Sequence, residues 1–97
     1  MHGPVILLAD ETVTSARTRR WLVAMDHLLY FYVSPGDNFP NKAVELKYFY
    51  SVSVDDNMVI RLIRRRPPVD EYYMLIADSS LRNQWVRVLG KLIMQHT

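Results

Sequence analysis

Two runs of arginine are the residues best equipped for chemistry in this sequence. Arg17, Arg19 and Arg20 form one, and Arg64, Arg65 and Arg66 form the other. A guanidinium keeps its charge at any physiological pH and presents its donors as a planar fork that fits a carboxylate or phosphate with two parallel hydrogen bonds. Such runs suit anion binding; each basic residue near an anionic surface contributes about 1 kcal/mol, which salt screens. Asp70 and Glu71 follow the second run and partly neutralise it. Bond-making chemistry has no comparable foothold. His2, His27 and His96 fall near the start, in a turn and near the end, and none stands in a Glu-x-x-His or Cys/His spacing. No Gly-x-Ser-x-Gly elbow or glycine-rich phosphate loop occurs, and the three glycines are dispersed. Asp55-Asp56 reads as a turn rather than a carboxylate pair. The sequence therefore predicts no catalytic residue, no metal site and no cofactor.

A second set of residues suits contact with another protein. Tyr48, Phe49 and Tyr50 are consecutive, and Tyr72 and Tyr73 are adjacent. Successive side chains of a strand point to opposite faces, so at least one aromatic of each group is expected to face outward. Tyrosine offers a large contact area with little rotamer freedom, which favours it at interfaces. Tyr48, Tyr50 and Tyr72 are thus the expected contacts for a protein partner, self-association included. An exposed β edge could also accept an added strand. Arginine runs interleaved with aromatics can form a platform for single-stranded nucleic acid, but a formal net charge of +2 argues against that partner.

The elements that position these residues follow from pattern. With 97 residues, 49% of them hydrophobic and 23% charged, the chain fits one globular domain, 1–97, with a single modest core. The absence of cysteine excludes disulfides and thiolate zinc sites and suits a reducing compartment. No apolar run approaches the roughly 20 residues needed to span a bilayer, and no signal peptide is expected. Residues 4–9, 19–25, 28–33, 43–46, 49–54, 58–64 and 71–77 read as strands; 43–54 could also be one strand bent near Lys47. Met58, Ile60 and Leu62 are expected on one face of their strand, with Val59, Arg61 and Ile63 on the other. Asp26-His27, 34–38 and 55–57 are turns, and Pro67-Pro68 stops a strand because proline cannot donate to a ladder. After Asp78 the period changes: Leu81, Trp85, Val88 and Leu92, widened by Leu89 and Ile93, form one stripe of a helix over 79–95. Asp78, Ser79 or Ser80 can cap its start. Strands in series followed by one terminal helix predict a mainly antiparallel β structure capped by a helix.

Three local patterns, in this order, resemble the pleckstrin homology domain over about residues 3–95. Arg19-Arg20-Trp21-Leu22-Val23-Ala24-Met25-Asp26, followed by Leu28-Leu29-Tyr30-Phe31-Tyr32, is similar to that family's basic-aromatic second strand, short turn and aromatic third strand. Glu71-Tyr72-Tyr73-Met74-Leu75-Ile76-Ala77-Asp78-Ser79 is similar to its last strand leading into the helix. Gln84-Trp85-Val86-Arg87-Val88-Leu89 is similar to the helix that carries its most consistent residue, a tryptophan. Phosphotyrosine-binding, GRAM and related domains share the fold. The resemblance implies a seven-stranded, strongly bent antiparallel sandwich or barrel closed by the helix, with Trp85 structural.

It also implies where an anion would sit. Phosphoinositides bind that family at the open end of the sandwich, near the loops after the first, third and sixth strands. Many lipid-binding members carry a lysine late in the first strand and two basic residues, one apart, early in the second. Here Leu8 and Ala9 occupy the first place, and Thr18 and Arg20 the second, so only Arg20 matches; Asp10 and Glu11 follow with the wrong sign. Under the same topology Arg17, Arg19, Lys42, Arg64, Arg65 and Arg66 fall at or near the open end. The combined reading is a non-catalytic, cytoplasmic interaction module of a larger protein or assembly, at a membrane or cytoskeletal structure. Protein docking is its expected role, and phosphoinositide or general anionic-membrane binding the alternative.

Overall fold

The computed structural model describes residues 1–10, 16–46 and 50–94. Seven strands precede one helix: β1 (His2–Leu8), β2 (Arg17–Met25), β3 (Leu28–Tyr32), β4 (Lys42–Glu45), β5 (Tyr50–Val54), β6 (Ile60–Arg64), β7 (Asp70–Leu75) and α1 (Ser79–Met94). All ladders are antiparallel, and the sheet runs β4-β3-β2-β1-β7-β6-β5 without closing. The stretch 43–54 therefore holds two strands at opposite edges, not one bent strand.

Turn chemistry fixes the register. Asp26 takes φ 55° between β2 and β3, a left-handed conformation that aspartate tolerates. Gly36 supplies φ 89° in the β3–β4 loop, where the Ser34 amide donates to Asp37 Oδ2 at 3.0 Å. Asp55 Oδ1 accepts from the amides of Asn57 at 2.8 Å and Val59 at 3.0 Å, closing the turn before β6. Met58 sits in that turn at φ 63° and is exposed. The reading that put it in phase with Ile60 and Leu62 is corrected: the Asx turn swings it out, and β6 begins at Ile60.

β1 joins the two halves of the sheet. It pairs with β2 along its whole length but with β7 only over residues 6–8. The Met1 and Ala24 backbones exchange hydrogen bonds at 3.2 and 2.8 Å, so odd-numbered β1 residues face β2 and even-numbered ones face β7. Pro4, which has no N–H, falls on the β7 side upstream of that ladder, a position where proline costs no bond.

The splayed corner left by this divergence is filled by α1. Asp78 Oδ1 accepts from the Leu81 amide at 3.0 Å, capping the helix as its sequence implies. Trp85, Leu89 and Ile93 face the core, flanked by half-buried Leu81, Val88 and Leu92. Gly3 lets helix and strand approach: a Cβ there would stand 3.5 Å from both Trp85 Nε1 and Leu81 Cδ2. The main core joins this stripe to the inward residues of all seven strands. A smaller cluster of Leu8, Val59 and Tyr73 lies apart from it, packed with Ile6 and Leu75.

Trp85 is 0% exposed, and its Nε1 has no hydrogen-bond partner among the described residues. Its contribution is therefore ring burial alone. Trp85→Ala should cost about 3–5 kcal/mol. Trp85→Phe should cost clearly less, because no hydrogen bond is lost with the indole. Urea denaturation of both variants checks this; unchanged stability in Trp85→Ala would contradict the assignment.

Candidate functional site

The antiparallel register places three connections at one end of the sheet. β1 ends at Leu8 opposite Arg17, the first residue of β2. β3 runs alongside β2 toward that end, and β4 returns from it beginning at Lys42. β6 ends at Arg64 opposite Asp70, the first residue of β7. The described ends of the β1–β2 connection, with the β3–β4 and β6–β7 connections, thus rim the mouth left open by α1, which plugs the other end.

The inner wall of the mouth is a polar cluster that the sequence reading did not anticipate. Asp70 Oδ2 accepts hydrogen bonds from the hydroxyls of Tyr50, at 3.2 Å, and Tyr72, at 2.9 Å. The Phe31 and Tyr72 rings stack with centroids 5.4 Å apart, tying β3 to β7. Lys42 Nζ lies 4.9 Å from the centre of the Tyr72 ring. Lys42, Arg64 and the three hydrogen-bonded residues line a hollow of about 240 Å³. A second hollow, of about 190 Å³, lies between the β1–β2 and β3–β4 sides and is lined by Thr18, Arg20, Lys42 and Tyr72 among others. Burial first, and the Asp70 carboxylate next, hold the phenols of Tyr50 and Tyr72 well above their ordinary pKa of 10.0.

Two of the tyrosines expected at a protein interface are therefore interior residues. Tyr50 is 7% exposed and Tyr72 8%. Each sits on the inward register of its strand, in phase with Val52 and with Met74, and turns its hydroxyl to Asp70. They offer no ring to a partner. Tyr48 lies outside the described residues.

The basic residues divide. Lys42 and Arg64 line the mouth, and Arg17, Arg65 and Arg66 stand on its rim, all but half-buried Arg64 exposed. Arg19 and Arg20 lie further along β2, opposite Ile6 and Val5. Arg19 is exposed, and Arg20 is half-buried with Nη1 donating to the Arg19 carbonyl at 2.8 Å. Arg20 lines the second hollow but also two hollows outside the mouth.

Two rim residues were missed. Phe39 in the β3–β4 loop is 84% exposed, and Val69 in the β6–β7 loop is 62% exposed. The available signal was an apolar residue standing alone within each turn-forming run, Asn38-Phe39-Pro40 and Pro67-Pro68-Val69-Asp70. Among the described residues no group of His, Asp or Glu is arranged to hold a metal ion. None of their helices is long and apolar enough to cross a membrane.

No protein-family model and no curated protein matches this sequence. Solved structures do match in fold. The C-terminal PH domain of pleckstrin, in complex with D-myo-Ins(1,2,3,4,5)P5, superposes with a TM-score of 0.77 at 15% identity, covering 96% of each chain. The PH domain of human oxysterol binding protein-related protein 11 gives 0.80 at 19% identity, over 100% of this chain and 82% of that one. The PH domain of mouse Ethanol Decreased 4 protein gives 0.81 at 18%, over 100% and 89%. The fold expected from the sequence resemblance is thus the fold present: a pleckstrin-homology-type sheet with its C-terminal helix.

The raised phenol pKa values carry a consequence for stability at high pH. The folded chain keeps protons on Tyr50 and Tyr72 that the unfolded chain releases near their ordinary value of 10.0. Their contribution is complete below about pH 10 and is lost as pH rises above it. The urea midpoint should hold steady at neutral to mildly basic pH and fall from about pH 10 upward. In Tyr72→Phe that fall should be shallower. An unchanged midpoint to about pH 11 would overturn the buried placement of both phenols.

Proposed function

We propose that this chain is a non-catalytic binding module that docks its open end on an anionic membrane surface, reading charge rather than one headgroup. The supporting observation is the composition of the rim. Arg65 and Arg66 are exposed on one loop beside Val69, and Lys42 follows the loop that carries Phe39. Basic residues draw the rim to anionic lipid at about 1 kcal/mol each. Apolar tips gain by entering the interface; full burial of a phenylalanine side chain is worth about 1.5–3 kcal/mol. Arg65, Arg66, Phe39 and Val69 are exposed and take no part in the core, which ends at the Tyr50–Asp70–Tyr72 cluster.

Two features favour a headgroup-indifferent contact. Leu8 and Ala9 stand where lipid-binding relatives of this fold carry a lysine. The Asp70 carboxylate also occupies the polar hollow beside Lys42 and Arg64, where it opposes a phosphate. The inositol phosphate bound by the pleckstrin domain belongs to that protein. A docking role resting on Tyr50 and Tyr72 has lost its basis, since both are inside. The module would act at the cytoplasmic face of a membrane.

Co-sedimentation with vesicles tests this. Phosphatidylcholine vesicles containing phosphatidylserine should pellet the protein at low salt and release it at high salt. Replacing part of the phosphatidylserine by a phosphoinositide at equal total charge should change little. Arg65→Glu combined with Arg66→Glu, and separately Phe39→Ser, should each reduce pelleting several-fold. No pelleting at low salt would end the proposal. Phosphoinositide-dependent pelleting lost in Arg20→Ala would replace it with a specific headgroup site.

A further inference from the structure

A cleft of about 330 Å³ opens where β1 parts from the end of β7. The β1–β7 ladder begins only at Ile6, so the backbone upstream of it diverges from residues 76–78 on their way into α1. The gap is walled by Pro4, Ile6, Leu75, Ala77 and Leu81, none of which lies on the rim loops. It is roomy enough for a leucine- or phenylalanine-sized side chain. Beside it a shallower hollow of about 290 Å³ is lined by Trp21, Val33 and Pro35. Pro4, Arg19 and Arg20 line both, so the two form one continuous depression with the arginines where they meet.

Its chemistry selects an occupant. The Arg19 side chain is exposed, and Arg20 Nη1 reaches only the Arg19 carbonyl. Among the described residues neither guanidinium forms an ion pair with a carboxylate. At the opposite end of the cleft Asp78 is committed to the α1 cap, accepting from the Leu81 amide. The depression thus offers an apolar pocket, two cations at its middle and one anion at its far end. Trp21 adds a half-buried indole, tilted against the His2 ring with centroids 5.5 Å apart and paired across strands with Tyr32. Tryptophan, tyrosine and arginine are the residue types that dominate binding energy at protein interfaces.

We propose that this depression binds an extended, acidic segment of a partner protein, which buries one apolar side chain between β1 and the start of α1 and sets carboxylates against Arg19 and Arg20. A neutral apolar peptide would leave both guanidinium groups without a counter-charge, and a basic one would meet them with like charge. Val33 and Pro35 belong to the β3–β4 loop, but the site uses none of Phe39, Val69, Arg65 and Arg66, so the rim variants that test membrane docking leave it intact.

A nuclear magnetic resonance titration of the ¹⁵N-labelled chain decides it. The probes are two capped peptides with the same central leucine, one flanked by glutamate and aspartate, the other by lysine. The acidic peptide should move the backbone amides of Ile6, Arg19, Leu75 and Ala77 along a saturable curve. The lysine peptide should bind about tenfold more weakly or not at all. Arg19→Glu, at an exposed position that leaves melting unchanged, should remove that preference. Ala77→Trp, which fills the cleft from its exposed wall, should abolish both curves. Equal binding of the two peptides, shifts confined to residues 37–41 and 65–69, or no shifts at millimolar peptide would each overturn the proposal.

Discussion

The structure depends on one packing event: the insertion of Trp85 into the corner that an unclosed sheet cannot fill by itself. Seven strands in the order β4-β3-β2-β1-β7-β6-β5 leave both edges free and bend away from each other at β1. Only three residues of β1 pair with β7, so hydrogen bonding alone holds that junction weakly. The indole, with Leu89 and Ile93 behind it, supplies what the ladder lacks by joining inward residues from both halves into one core. Gly3 and Pro4 are local concessions to the same event. The first makes room for the indole, and the second gives up an N–H where β7 has already turned away.

Closing one end with a helix leaves the other to be closed by side chains. That constraint explains a carboxylate among aromatic rings. Asp70 begins β7 on the inward register, and two phenol hydroxyls satisfy one of its oxygens. Arg64, its cross-strand partner on β6, and Lys42, from the far-edge strand β4, line the same hollow and supply positive charge, which lessens the cost of holding an anion there. With the interior sealed at that level, the loops beyond it have no core role and can carry exposed arginines and apolar tips. The same geometry places a carboxylate, not an open cation pair, in the hollow between Lys42 and Arg64.

Much of this was legible in sequence because the signals were periodic or local. The change from period two to intervals of three and four after Asp78 located the helix, and Trp85 falls in its stripe. The three main turns were marked by Asp, Asn, Gly and Pro. Which face of a strand is inside was less legible. Alternation assigns Tyr50 to a face but does not say which face the bend of the sheet will enclose, and Tyr72 was ambiguous beside Tyr73 for the same reason. Tyr72 turned inward and Tyr73 outward, yet both are buried, since Tyr73 packs against Leu8 and Val59 in the smaller cluster. A chain short enough to have two apolar faces on β7 defeats the rule that one aromatic of an adjacent pair must be exposed. The Asp70 cluster was illegible because its members are 20 and 2 residues apart and meet only once β5, β6 and β7 are in register.

The split of the arginines shows how topology assigns different work to residues that sequence groups together. Arg17, Arg19 and Arg20 lie within four positions, yet the strand carries Arg17 to the rim and Arg19 to the mouth of the β1–α1 cleft, opposite Ile6. A loop would have kept the three together as one charged patch; a paired strand spreads them along its length and across its faces. Two separate charged regions follow, one among loop tips and one beside an apolar cleft. Contacts made at both would reinforce each other without sharing a residue, since engagement of one raises the effective concentration at the other. If both proposed contacts form, binding that is weak at each surface would become selective for places where a charged membrane and an acidic protein segment occur together. A small, non-enclosing fold can obtain that selectivity without the deep pocket its 97 residues have little room to build.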